Sequence, residues 1–232
     1  MIIDLSTRSE EQELMDDLDC KGPVVDQTLK ELDVINTLLG GNQISISAFK
    51  KMAAKHEGPI KLVDVGCGGG DILKIFASWC RKKNIEASFL GIDANPNIVD
   101  YAIENCKEYP EISFKSLNVL DGEFQQLDFN ILHACLFTHH FSSIQLERLL
   151  HSFSRQGQAR VIINDLHRHS LAYYSILFLT RLFSKSAMVR YDAALSVARG
   201  FKKKEVVAIL QKIGVTSYTL KWKWAFRWKL VY

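Results

Sequence analysis

The sequence predicts an α/β protein built on a doubly wound, mostly parallel sheet. Three observations predict it: β-rich runs alternate with amphipathic stretches from Pro59 onward, the first run ends in the glycine-rich turn VDVGCGGGD, and the chain closes on the strictly alternating KWKWAFRWKLVY. With 232 residues, 47% of them hydrophobic and 24% charged, the chain can bury one large core, which excludes a disordered, collagenous or disulfide-stapled protein.

The elements follow in chain order. Residues 1–58 carry helical periodicity and no strand pattern: Leu29, Leu32, Ile35 and Leu38 recur at helical spacing and Gly40 and Gly41 supply a stop, so a helical cap is expected over 1–58 ahead of a main domain at 59–232. Candidate strands lie at 61–65, 87–92, 112–117, 129–135 and 159–164, with helical patterns at about 71–83, 96–107 and 143–155 between them. A helical insertion follows the fifth strand at about 170–198, inside a lid expected over 167–200. A last helix at 202–213 precedes two terminal strands that turn near Trp224 to Phe226, giving seven strands in all. On the hairpin, Trp222, Trp224, Phe226, Trp228 and Leu230 share one parity and Lys221, Lys223, Arg227 and Lys229 the other, so one face is buried and one wet.

Charge and cysteine usage narrow the setting. Lys+Arg 29 against Asp+Glu 26 leaves a net charge of +3, too small a surplus to announce a nucleic-acid partner. Five cysteines (Cys20, Cys67, Cys80, Cys106, Cys135) without a CxxC pair read as reduced thiols, and the acidic start MIIDLSTRSEEQELMDD is not a secretory signal; a cytoplasmic protein is expected. The apolar stretch 171–183 is broken by Ser175, Thr180 and Arg181 and is shorter than the roughly 17 to 25 residues of a membrane span, so no stable membrane insertion is expected. Monomer and homodimer are equally compatible with this pattern.

The glycine turn carries the first functional signal. Gly66, Gly68 and Gly70 stand between Val65 and the helix starting near Asp71, where the absence of Cβ atoms lets backbone approach a nucleotide-like ligand. A dinucleotide fingerprint GxGxxG would place its third glycine at position 71, where this chain has Asp71. Asp64 precedes the turn, and Asp93, ending the next strand in GIDANPN, can accept both hydroxyls of a ribose. Asp93 alone suits a nicotinamide or an adenosyl cofactor.

The series VDVGCGGGD, GIDANP, SLNVLD and FNILHACLFTHHF, in that order over about residues 59–166, resembles the motif series of the class I S-adenosylmethionine-dependent methyltransferases. The later DLHRHSLAYY and MVRYDAALSVARGFKKKEVVAIL are similar to the subgroup that methylates small phenolic or polyketide-like molecules. The resemblance implies a seven-stranded Rossmann-like fold and S-adenosyl-L-methionine as cofactor, leaving S-adenosyl-L-homocysteine as product. It implies that Gly66, Cys67 and Gly68 hold the methionine and ribose side, and that Asp64 and Ala134 also belong to the cofactor site. Asp93 would take the ribose hydroxyls, Ala94 pack on adenine, and Asn118 with the Val119 amide face the adenine edge. The chain departs from the family at Asn118 and Asn130, where an acid is common; an asparagine amide still offers donor and acceptor.

Methyl transfer requires alignment of acceptor, methyl and sulfur, and a phenolic acceptor gains from an imidazole that removes its proton. Six of the seven histidines fall between positions 133 and 169 (His133, His139, His140, His151, His167, His169), following the fourth and fifth strands where such a sheet places its ligand chemistry. His140 is the first candidate base and His139 the second, on the expectation that adjacent residues leaving a strand diverge and only one faces the cleft. His167, His169, Tyr173 and Tyr174 are candidate acceptor contacts, since a helix at 171–183 apolar on every face must be buried, paired or turned to an apolar ligand, and with residues 1–20 it would roof the pocket. No HExxH or paired CxxC is present, so no metal is expected. The expected activity is O-methylation of a small hydrophobic phenolic or polyketide-derived acceptor. N- or C-methylation, a nicotinamide-dependent oxidoreductase and a non-catalytic adenosyl-binding module remain alternatives.

Overall fold

Short, near-continuous apolar strands, with amphipathic helices between them, bury both faces of a sheet at once. The computed structural model describes residues 3–155 and 159–232, and in it the strands β1 (Ile60–Val65), β2 (Ala87–Asp93), β3 (Ile112–Ser116), β4 (Ile131–Cys135), β5 (Arg160–Leu166), β6 (Thr219–Lys223) and β7 (Arg227–Val231) form one sheet in the order β3-β2-β1-β4-β5-β7-β6. Strands β1 to β5 pair in parallel, whereas β7 lies antiparallel to both β5 and β6. The order reverses at β1, so a crevice opens above the carboxyl ends of β1 and β4, the place where such sheets bind ligands.

Strand parity divides the core in two. Ile60, Leu62, Ile131 and Ile162 point to helices α2 (Gly41–Ala53) and α3 (Asp71–Lys83), where Phe49 stacks on Phe76 at 4.4 Å. Val63, Val65, Leu132 and Ile163 point the other way, to α5 (Ser143–Arg155) and α8 (Lys203–Lys212), around Phe124 and Phe153. α4 (Pro96–Asn105) packs on β2 and β3; its N-terminus is set by Pro96 in the first turn and by the Asn95 side chain, which accepts from the Asn97 amide.

Two expectations about the attachments are corrected. The cap is helical only over α1 (Pro23–Leu38) and α2; ahead of Pro23 the chain runs as a strap whose one regular feature among the described residues is a 3₁₀ turn at Leu14–Asp16, because its Glu and Asp side chains bond elsewhere in the molecule (Met1 and Ile2 lie outside the described residues). The helical stretch expected over 170–198 is two helices, α6 (Ser170–Phe183) and α7 (Ala187–Arg199), broken where the Glu31 carboxylate accepts from the Ser184 hydroxyl and the Lys185 and Ser186 amides while the Ser186 hydroxyl caps Val189. α6 is not buried all round: Leu171, Tyr174, Phe178 and Leu182 form an exposed outer stripe. Among the described residues no helix is long and apolar enough to cross a membrane.

Candidate functional site: a cofactor-sized cavity under an N-terminal strap

The turn after β1 is shaped for close approach. Gly66, Gly68 and Gly70 all adopt positive φ, and a Cβ on Gly66 would lie 2.1 Å from Phe137 Cδ2. Gly66→Ala is therefore expected to lower the melting temperature by several degrees and to weaken cofactor binding, whereas Gly122→Ala, which has open space and no positive φ, should do neither; scanning calorimetry of the two variants checks this.

Above this turn lies a cavity of about 1270 Å³. That is larger than the roughly 300 to 1,000 Å³ of an ordinary small-molecule pocket and leaves room for two ligands. Asp64, Gly66, Cys67, Gly68, Asp93, Ala94, Asn118 and Val119 line it together. Asp93 accepts from the Asn95 amide at 3.0 Å, and burial raises its carboxyl above the usual range despite the Gly68 and Asn95 amides, a setting that favours neutral hydroxyl donors as partners. Asn118 Oδ1 accepts from the Leu120 amide at 3.0 Å and so shapes the loop beside the cavity. Asp64 is largely committed to the fold: its Oδ1 bonds His133 Nδ1 at 2.7 Å, whose Nε2 meets Ser45 Oγ at 2.8 Å, a buried relay that ties β1 and β4 to α2. Ala134 does not line the cavity; its parity turns it into the core with Leu132.

Both His139 and His140 line the cavity, contrary to the expected divergence, because they sit on a 3₁₀ turn (Thr138–His140) and not on a strand. Their rings lie 4.3 Å apart, yet their surroundings differ. His139 is buried, with Nδ1 2.7 Å from Asp165 Oδ1 and Nε2 3.5 Å from Glu13 Oε1. Burial opposes its charge, but Asp165 and then Glu13 more than offset this and lift its pKa to about 9. Since this exceeds the ordinary 6.5, the native state keeps a proton that the unfolded chain releases; the resulting stabilisation is complete below pH 6.5 and is lost as pH rises through 9. The melting temperature is expected to fall over that window, and to fall less in His139→Asn; thermal unfolding at stepped pH measures both.

His140 is a quarter exposed, and its Nδ1 lies 2.5 Å from Asp16 Oδ1 while Nε2 has no partner among the described residues. Burial alone would raise the Asp16 carboxyl, but the hydrogen bonds of His140 and of Arg199 hold it well below the usual range. Arg199 also donates to the His139 and His140 carbonyls, and Arg8 to those of His139, Phe141 and Arg199. The strap is thus pinned over the histidine turn. Further along, Asp192 accepts the Leu14 and Met15 amides, although burial lifts its carboxyl to about 6.

Glu13, His139 and His140 offer donor atoms within 4.8 Å of one another, but the Arg199 guanidinium stands 3.7 Å from Glu13 Oε1 and already supplies positive charge there. Arg8, Glu13, Asp16, Asp165 and Arg199 are cavity or histidine partners that sequence reasoning missed. Of these, Asp165 in DLHRHSLAYY and Arg199 in the ARGF run lay within the stretches that carry the family resemblance.

The expected acceptor contacts are placed otherwise. Tyr173 and Tyr174 do not line the cavity; α6 presents Ala172, Ser175, Ile176 and Leu179 to it instead, the set one helical face supplies. His167 and His169 lie beside it, packed on the hairpin: His169 stacks on Phe226 at 5.2 Å and caps α6 through the Leu171 amide, and His167 Nδ1 accepts from Trp222 Nε1. Burial lowers the His167 pKa.

The family described as methyltransferase domain matches residues 62–159. No curated protein matches the sequence. Among solved structures, the plantazolicin methyltransferase BpumL in complex with SAH superposes with a TM-score of 0.62 at 15% identity, covering 86% of this chain and 79% of that one. A SAM-dependent methyltransferase from Aquifex aeolicus gives 0.59 at 14%, covering 89% and 96%. The citrinin polyketide synthase CMeT domain gives 0.56 at 14%, covering 75% of this chain, which spans only 45% of that structure's length. Residues 62–159 therefore resemble a methyltransferase domain, and the chain shares the fold of these S-adenosylmethionine-dependent methyltransferases.

Proposed function

We propose that the protein transfers the methyl group of S-adenosylmethionine to a small hydrophobic acceptor, at an oxygen that is deprotonated as it attacks. The observation that carries this reading is one continuous cavity in which the glycine turn and Asp93 at one end share walls with His140 and its Asp16 partner. The cofactor site is supported by Gly66 and Gly68 in the cavity wall and by the Asp93 carboxylate at the end of β2, which accepts the Asn95 amide and keeps lone pairs for ribose hydroxyls. The cofactor, once bound, supplies an electrophilic methyl on sulfur.

The chain's own groups then have separable duties. Asp93 fixes the sugar, and Val119 with Asn118 borders the base. His139, holding its proton between Asp165 and Glu13, is a charged anchor for the strap. His140 takes the acceptor proton on Nε2 while the Asp16 carboxylate fixes its tautomer and steadies the imidazolium that results. Apolar α6 residues and the strap exclude water from the transfer.

A second reading, transfer to carbon, is favoured by the likeness to the citrinin CMeT domain and would use the same base on an acidic C–H. A panel of phenols and β-dicarbonyl compounds, scored by release of S-adenosylhomocysteine, tests the proposal. Methylated phenol is the expected product, methylated carbon would install the second reading, and turnover by neither class would reject both.

A further inference from the structure

One buried cation at the cavity takes no part in the proton transfer or in holding the sugar. Arg227 opens β7, lines the cavity and is only 4% exposed. Its Nη2 donates to Asn36 Oδ1 at 2.8 Å, while Nη1 is buried without a hydrogen-bond partner, and among the described residues no carboxylate lies within ion-pair distance. The two buried acids at the mouth of the sheet are committed: Asp64 to His133, and Asp165 to His139 and Thr138. Gly41 leaves room for the guanidinium, since a Cβ there would lie 3.2 Å from Nη2.

A desolvated guanidinium that lacks a counter-charge is costly in a folded protein. A planar group with parallel N–H donors matches a carboxylate, which can take two of them at once. The strand order separates this cation from the sugar site: β7 is four strands from β2, about 19 Å at about 4.8 Å per strand.

We propose that Arg227 is the anion-binding residue of the acceptor pocket and that the methyl acceptor carries a carboxylate that pairs with its free guanidinium edge. This rests on the reading of the cavity as a site for cofactor plus acceptor. Arg227 then sets which acceptors enter and how they are oriented, while the aliphatic face of α6 covers the rest of the molecule.

The test uses the full chain saturated with S-adenosylhomocysteine, as wild type, Arg227→Met and Arg227→Lys, titrated with 6-hydroxy-2-naphthoate and with its neutral amide. Failure of S-adenosylhomocysteine to raise the wild-type melting temperature would reject the cofactor reading itself, independently of how the acceptor is held. The wild type is expected to prefer the carboxylate by about thirtyfold or more, Arg227→Met to lose that preference, and Arg227→Lys to keep part of it. Arg227→Met should not melt lower than wild type, because it removes an uncompensated charge. Equal binding of acid and amide, or binding of neither, would overturn the proposal. So would a tenfold weaker S-adenosylhomocysteine affinity in Arg227→Met with 5′-methylthioadenosine unaffected, which would assign the cation to the cofactor's carboxylate.

Discussion

His140→Gln is expected to lower kcat by about 10² to 10⁴ while leaving the dissociation constant of S-adenosylhomocysteine within about twofold of wild type. The split follows from the proposed roles: His140, held by the strap, would take the acceptor's proton, whereas the cofactor's sugar and base contacts would come from the ends of β2 and β3. Glutamine keeps a polar group opposite Asp16 but cannot accept a proton. Asp16→Asn should reproduce part of the loss, because an amide in place of the carboxylate no longer stabilises the imidazolium or selects its tautomer. Steady-state rates with a competent acceptor, set beside calorimetric cofactor affinities for the same variants, check both halves. Turnover of His140→Gln at the wild-type rate would remove the base from the mechanism.

The second large effect is expected at Asp93. Asp93→Ala should raise the dissociation constant of S-adenosylhomocysteine by roughly 10² or more, since it deletes the acceptor of two charge-assisted hydrogen bonds at about 1.5 to 3 kcal/mol each. Asp93→Asn should fall between the two, as its amide oxygen can still accept. Because the Asn95 amide also bonds Asp93, the melting temperature of the unliganded variants separates loss of the turn from loss of the ligand. At saturating cofactor, kcat should return close to wild type, the reverse of the His140→Gln pattern.

The parts of this arrangement that sequence made legible share a local origin. Short β-rich runs between amphipathic stretches placed β1 to β5 within a few residues, the glycine cluster marked the turn, and Asp93 ended its strand where a carboxylate is useful. The parts that were illegible depend on distant pairings. Asp16 meets His140 across 124 residues, and Arg199 meets Asp16 across 183, so residues expected only to help roof the pocket are also the strap that pins the histidine turn. Helical phase explains the tyrosines: a helix apolar on every face does not reveal which face meets the cavity, and the cavity receives the face of α6 that carries Ala172 and Ile176. The difference between His139 and His140 could not be read from adjacent letters. It arises because one ring is fully enclosed, bonded to Asp165 with Glu13 3.5 Å away, and the other is a quarter exposed and bonded to Asp16 of the strap.

The binding claim at the root of these expectations is tested most directly by titrating the wild-type chain in a calorimeter with S-adenosylhomocysteine and, separately, with NAD. Saturable heat with the first and none with the second is the predicted result. Heat with NAD alone would mean that the bend after β1 and Asp93 serve a nicotinamide cofactor, and would contradict the account.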